Sequence, residues 1–126
     1  MEAKVVDIQN KVSSTGDYGG LGDRRITEQT ARKYRTKIKT NGSIISHHYY
    51  EYYNTEGSHV ATKVRQVEGK RIWSQGDMTD ALLFGQNLFK SGGKYITITE
   101  GEIDAMSAYE MLGSKWAVVS IKNGVQ

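Results

Sequence analysis

The chain contains no cysteine and no proline, only two phenylalanines, and no long apolar run. Lack of cysteine excludes disulfide staples and any zinc site built on thiolates, and it suits an intracellular, cytoplasmic setting. No apolar stretch approaches the ~20 residues needed to cross a bilayer, so no membrane partner is expected. Met1 to Lys11 mixes acids and bases without an apolar centre, which is not the pattern of a secretory signal. At 126 residues the chain is bounded to one domain, or to one domain and part of another. Its aromatic residues are mostly tyrosine, so the expected core is modest and the expected surface polar.

What the chain does have is basic charge, unevenly placed. The formal net charge is +3, yet from Arg24 to Arg71 eleven Lys or Arg side chains stand against four acids. From Asp77 onward the balance reverses, with six acids against four bases. A basic front half beside an acidic stretch suits a polyanion brought up to a metal ion. The competing reading is that these bases are ordinary solvated faces of strands and helices.

Met1 to Gly22 is rich in small and polar residues and has no hydrophobic period, so a flexible tail or linker outside the core is expected over 1–22. Thr27 ahead of Glu28-Gln29 predicts a helix start, with a short helix to about Tyr34. The period then changes. Lys37 to Lys39, Ile44 to Asn54, Ser58 to Val67 and Lys70 to Ser74 are short runs rich in Ile, Tyr, Val and Thr, and they predict an antiparallel meander. Asn41-Gly42 and Glu68-Gly69 suit its tight turns.

Two features of the meander have a functional and a plain reading. His47-His48-Tyr49-Tyr50-Glu51-Tyr52-Tyr53 is either a platform on which bases stack or a structural strand. The structural reading is preferred, because tyrosine forms strands well and its polar tip suits a sheet surface. Adjacent histidines point to opposite faces and are poor joint ligands for one metal. In Lys63-Val64-Arg65 the two bases share a face, and Lys70 and Arg71 follow one strand later, so several cations are placed to converge across a hairpin. Solvated strand bases are the alternative.

Asp77 to Gly85 leads on, with an apolar Leu82-Leu83-Phe84 plug, and Ser91-Gly92-Gly93 turns the chain into its most informative stretch, Lys94 to Met111. There the alternating run Tyr95-Ile96-Thr97-Ile98-Thr99 delivers into Glu100-Gly101-Glu102-Ile103-Asp104. Ile103, Met106, Glu110 and Met111 follow at helical spacing, uninterrupted by proline, with Gly113 placed as a helix stop. Gly101 is expected to permit a tight turn after the strand. The acids therefore fall at a strand-to-helix switch, the carboxyl edge where open α/β sheets bind ligands and metals. Trp116 to Ile121 is a buried-type apolar run, which completes a βαβ unit.

The string Ile96-Thr97-Ile98-Thr99-Glu100-Gly101-Glu102-Ile103-Asp104-Ala105-Met106-Ser107 resembles the first signature of Toprim domains, the fold shared by primases, topoisomerases and some nucleases. In particular it is similar to the primase region of the primase-helicases of T-seven-like bacteriophages. The likeness runs through Leu83-Phe84-Gly85 and Lys63-Val64-Arg65 to the helix near Ile26, and forward to Val119-Ser120-Ile121, covering about Leu21 to Gln126. The fold expected is mixed α+β and α/β: an N-terminal helix and antiparallel meander, then the first βαβ part of a Toprim domain. The domains expected are a tail over 1–22, a basic N-terminal primase subdomain over 23–90 and an incomplete Toprim domain over 91–126.

The resemblance implies that Glu100 is the family's first acid, catalytic and a magnesium ligand in phosphoryl transfer, with Asp104 a lesser ligand candidate. Glu102 and Asp104 are expected chiefly to orient or cap the helix. Lys63, Arg65 and Lys70 lie where the family holds nucleotides and template. Magnesium suits such a site because one or two protein carboxylates plus substrate phosphates suffice for it. The implied partners are a single-stranded DNA template, ribonucleoside triphosphates and a helicase domain in the same full-length protein; the implied location is the host cytoplasm. No Asp-x-Asp follows the last strand, no cysteine zinc module precedes the meander and no Walker loop is present, so a front fragment of a primase is expected, inactive alone. A non-catalytic single-stranded DNA-binding module and a Toprim nuclease fragment are the alternatives. The basic meander ahead of the acidic strand favours primase over nuclease.

Overall fold

The structure, a computed structural model, describes residues 16–90, 93 and 95–122. Ser91, Gly92 and Lys94 of the expected turn, residues 1–15 and residues 123–126 lie outside the described residues.

Helix α1 (Glu28–Lys33) starts where the sequence predicts it, with the Thr27 hydroxyl accepting from the Thr30 amide at 3.2 Å. A Thr in that position satisfies one of the helix's orphan donors. Four strands follow, β1 (Thr36–Asn41), β2 (Ile44–Tyr53), β3 (His59–Gln66) and β4 (Ile72–Gly76), hydrogen-bonded in sequence order and all antiparallel. The hairpin glycines Gly42 and Gly69 have φ of 67° and 84°, the left-handed backbone that glycine adopts without a Cβ penalty.

The second sheet is the predicted βαβ unit. β5 (Ile96–Thr99) lies parallel to β6 (Ala117–Ser120), and α2 (Glu102–Met111) connects them. Gly113 ends α2 as expected. At φ 81° it donates to Glu110, while the Ser114 amide donates to the Tyr109 carbonyl, so two terminal carbonyls are satisfied by a left-handed cap. Ala105, Met106 and Tyr109 form the buried face of α2. Met111 is instead 85% exposed, because five residues beyond Met106 is roughly 140° further round the helix.

One core joins the two sheets. Phe84 is its hub, its ring 5.5 Å from Tyr34, 5.8 Å from Tyr50 and 5.7 Å from Tyr52, while its backbone pairs with Ser120 beside β6. The Tyr34 hydroxyl crosses to donate to the Val118 carbonyl at 2.7 Å. Gly85 sits at φ 87° with Tyr34 so close that an added Cβ would lie 2.6 Å from its ring. Phe84 of the Leu82-Leu83-Phe84 run thus seals the joint between the sheets, and Tyr50 and Tyr52 of β2 are core rather than surface.

One expectation is corrected. Residues 16–22 do not stand outside the core: Asp17 pairs with Ile38 at the edge of β1, and Leu21 is fully buried against the central cluster. Small polar residues hide this in the sequence, since the segment is held by backbone pairing and one leucine rather than by a hydrophobic period.

Candidate active site

The end of β5 delivers Glu100 to the carboxyl edge of the parallel sheet, and α2 begins two residues later. The Thr99 hydroxyl donates to the Gly101 carbonyl at 3.0 Å, and the Ala105 amide donates to the same oxygen at 3.0 Å, which fixes the turn. Gly101 has φ −149° and ψ 156°, extended backbone open to other residues, and an added Cβ would make only an ordinary 3.6 Å contact with Asp104. Glycine is therefore not demanded here by backbone geometry, contrary to expectation.

The three acids of the turn have different surroundings. Glu100 and Asp104 are exposed, and neither forms a hydrogen bond or ion pair among the described residues. Glu102, in contrast, is buried. Its carboxylate lies 2.6 Å from the Lys63 ammonium and accepts from the Tyr52 hydroxyl at 2.5 Å. Burial first, and then the Glu102 carboxylate, hold the Tyr52 hydroxyl far above the usual phenol range, so it remains a donor. Lys63 also donates to the carbonyl of Lys122, whose own ammonium donates to the Met78 carbonyl at 3.0 Å. The buried pair thus ties strand β3 of the meander to the first turn of α2.

Lys63 and Arg65 do share one face of β3, the face that meets the second sheet, as the alternation predicts. Arg65 is half-buried beside His48 and Tyr50, and its Nε is buried with no hydrogen-bond partner. Burial and the Glu102 carboxylate push the Tyr50 hydroxyl well up, with Arg65 and Arg24 pulling the other way. His48 is fully buried, and burial holds it below its ordinary value despite the Asp23 carboxylate 3.2 Å away. As a neutral ring it donates from Nε2 to Asp23 and accepts at Nδ1 from Tyr50, 2.9 Å away.

Lys70 does not join this group. It occupies the exposed turn before β4 at φ 56°, whereas Lys63 pairs with Ser74 further along the ladder. Arg24, in contrast, lies within electrostatic reach of His48 and Tyr50 together with Arg65. Nothing in the sequence distinguishes it from the other bases of the front half. His47 and His48 face opposite sides of β2, as expected for neighbours on a strand. A concavity of about 690 Å³ lies away from these acids, lined by Leu82, Phe89, Ile96 and Val119 among others.

Together, the fold and the site define a mixed α/β protein in which a basic antiparallel meander is clamped to a parallel unit carrying acids at its carboxyl edge. No family model matches the chain. Among curated proteins it is 34% identical over 121 residues to the DNA helicase/primase of Enterobacteria phage T3, covering 94% of this chain and 20% of that protein. The chain therefore spans about a fifth of the length of this curated relative. Among solved structures it is similar to the primase fragment of the bacteriophage T7 primase-helicase, with a TM-score of 0.72, 34% identity, and coverage of 84% of this chain and 43% of that one. It also matches a primase domain in a complex of T7 lagging-strand DNA polymerase with two gp4 subunits bound to an RNA/DNA hybrid and dTTP, with a TM-score of 0.74, 34% identity, and coverage of 86% and 54%. The chain is homologous to the primase region of the T7-type phage primase-helicases.

Proposed function

We propose that this chain is the front part of a phage DNA primase catalytic region, in which 23–90 forms a basic subdomain and 91–126 the first part of a Toprim domain. The complete enzyme joins ribonucleoside triphosphates into RNA primers on a single-stranded DNA template, in the same polypeptide as a helicase. The observation that carries this reading is the division of labour within one turn: Glu102 is spent on Lys63, while Glu100, two residues away, keeps its carboxylate open to solvent. Both named relatives are primase-helicases, which favours primase over the nuclease and the non-catalytic module.

The residues fit a magnesium ion in part. Glu100 and Asp104 offer hard oxygen donors without internal partners, and magnesium needs only one or two carboxylates when phosphates and waters supply the rest. No group of three or more metal-binding side chains exists among the described residues. Glu100 would hold the ion, with Asp104 in support. When bound, magnesium supplies charge neutralisation at the triphosphate and lowers the barrier to attack by the primer hydroxyl. The chain's own residues then have separate tasks. Arg65, with its unpartnered Nε, and Arg24 supply positive potential toward phosphate, while Lys63 holds Glu102 and so fixes the turn that presents Glu100. Lys63 is in this reading a positioning group, and Lys70 reaches substrate only from the exposed hairpin turn.

The test is Glu100→Gln in a protein carrying the rest of the primase region. The amide keeps the shape and loses the charge, so primer yield should fall on the order of a thousandfold or more across a magnesium titration. Template binding should be unchanged, and Asp104→Asn should cost much less. Near wild-type primer synthesis by Glu100→Gln would overturn the reading.

A further inference from the structure

The meander has a second face, turned away from the candidate active site. Register places Lys37, Tyr49, Val64 and Trp73 in one row across all four strands of this face, and Lys39, His47 and Gln66 in the next. Arg71 closes that second row, since the Gln66 amide donates to its carbonyl and its guanidinium lies 5.8 Å over the Trp73 ring. His47 meets Trp73 edge-on with centroids 6.2 Å apart and stacks on Tyr49 at 6.1 Å. Tyr49 and Val64 are buried beneath, whereas Trp73 is 37% exposed and Lys39 and Arg71 are exposed.

This is an unusual place for an indole. β4 is an edge strand with every residue exposed, so Trp73 is not held there by a core. Glu51, an acid of this face, is buried, paired with Lys37 at 3.5 Å, and accepts from the Tyr53 hydroxyl at 2.5 Å. Among the described residues no acid lies in these two rows; Asp17 lines a cleft with Lys39 at the β1 edge, and Glu68 stands in the hairpin turn at the other end. An aromatic ring layered with a guanidinium, beside a histidine and a lysine, is chemistry suited to unpaired bases and their phosphates.

We propose that this outer face is a second contact for single-stranded DNA, with a base stacking on the Trp73–Arg71 layer and phosphates held by Lys39 and Arg71. The proposal deepens the primase reading, on which it rests for the class of ligand, and assigns a surface separate from the acidic turn. It would grip template away from the reacting residues without reading sequence, because every base has a face to stack and no base-edge donor set is built here. The β2 tyrosines take no part, being buried.

The experiment uses the 126-residue chain and a labelled oligothymidylate at low salt, read by anisotropy. Trp73→Ala should weaken binding roughly tenfold, the scale of one lost base stack, and Trp73→Phe should restore most of it. In a Trp116→Phe background, the fluorescence of Trp73 should be quenched on binding. Arg71→Glu should weaken binding and flatten its salt dependence. If Trp73→Ala binds like wild type while Arg65→Ala does not, the outer face is not a contact, although the primase reading stands. If duplex DNA binds as tightly and with the same dependence on Trp73, stacking is wrong and the proposal falls. If the wild-type chain binds no single-stranded DNA at low salt, the proposal and its template assignment both fall.

Discussion

In the meander, Lys37 reaches Glu51 at 3.5 Å and Lys63 reaches across to Glu102 at 2.6 Å. At the end of β5, Glu100 and Asp104 reach nothing among the described residues. The difference separates charges that hold the protein together from charges left for something else. A buried carboxylate must be paired, because desolvation otherwise makes its charged form too costly. An exposed one needs no partner, and its freedom carries functional meaning only through its place at the carboxyl edge of a parallel sheet.

That contrast is broken most severely at Lys63. Replacing it by methionine keeps the bulk and leaves Glu102 buried without its cation, which should cost about 3–5 kcal/mol in urea unfolding. Adding Glu102→Gln should recover much of the loss, because the orphaned charge is then gone. Glu100→Gln in the same assay should lie within about 0.5 kcal/mol of wild type, since no contact is lost. Equal destabilisation by Lys63→Met and Glu100→Gln would erase the distinction between the two regions.

The joint between the regions offers the next test. Gly85→Ala forces a Cβ into the left-handed backbone and against the Tyr34 ring, and should lower stability by about 1–3 kcal/mol, seen as a reduced urea midpoint with unchanged slope. A smaller effect is expected at Glu110, which accepts from the Thr27 amide at 2.8 Å and hydroxyl at 2.6 Å and so ties α2 to the start of α1. Its partial burial pushes its pKa up, but the hydrogen bonds from Thr27 and Thr30 win and hold it below the ordinary carboxylate value. Glu110→Ala should cost about 1 kcal/mol, discounted for exposure.

The pH dependence gives the gentlest probe. Burial holds both His48 and His59 below the ordinary value of 6.5, so the unfolded chain takes up protons that the folded chain refuses. Their contribution to stability is therefore complete above about pH 6.5 and is lost as pH falls toward their folded values. The urea midpoint should drop between about pH 7.5 and pH 5.5, and His48→Gln should make that drop shallower. A midpoint rising on acidification would contradict the neutral, buried His48.

The sequence by itself determined the order of elements. Thr27 marked the start of α1, Asn41-Gly42 and Glu68-Gly69 marked hairpins, and Gly113 marked the end of α2, because caps and tight turns depend on local backbone chemistry. The alternation of β5 and the acids after it located the candidate site for the same reason. Tertiary structure decided what each charge is for. Glu100 and Glu102 look alike in sequence, two residues apart, and only the approach of β3 to α2 commits one of them to Lys63. The same long-range packing turned Tyr50 and Tyr52 into core around Phe84, drew Leu21 out of an apparent tail, and left Trp73 exposed on an edge strand. Local propensity fixes which backbone a residue adopts, but burial and pairing depend on residues brought near from far along the chain, and in one sequence they leave no periodic trace.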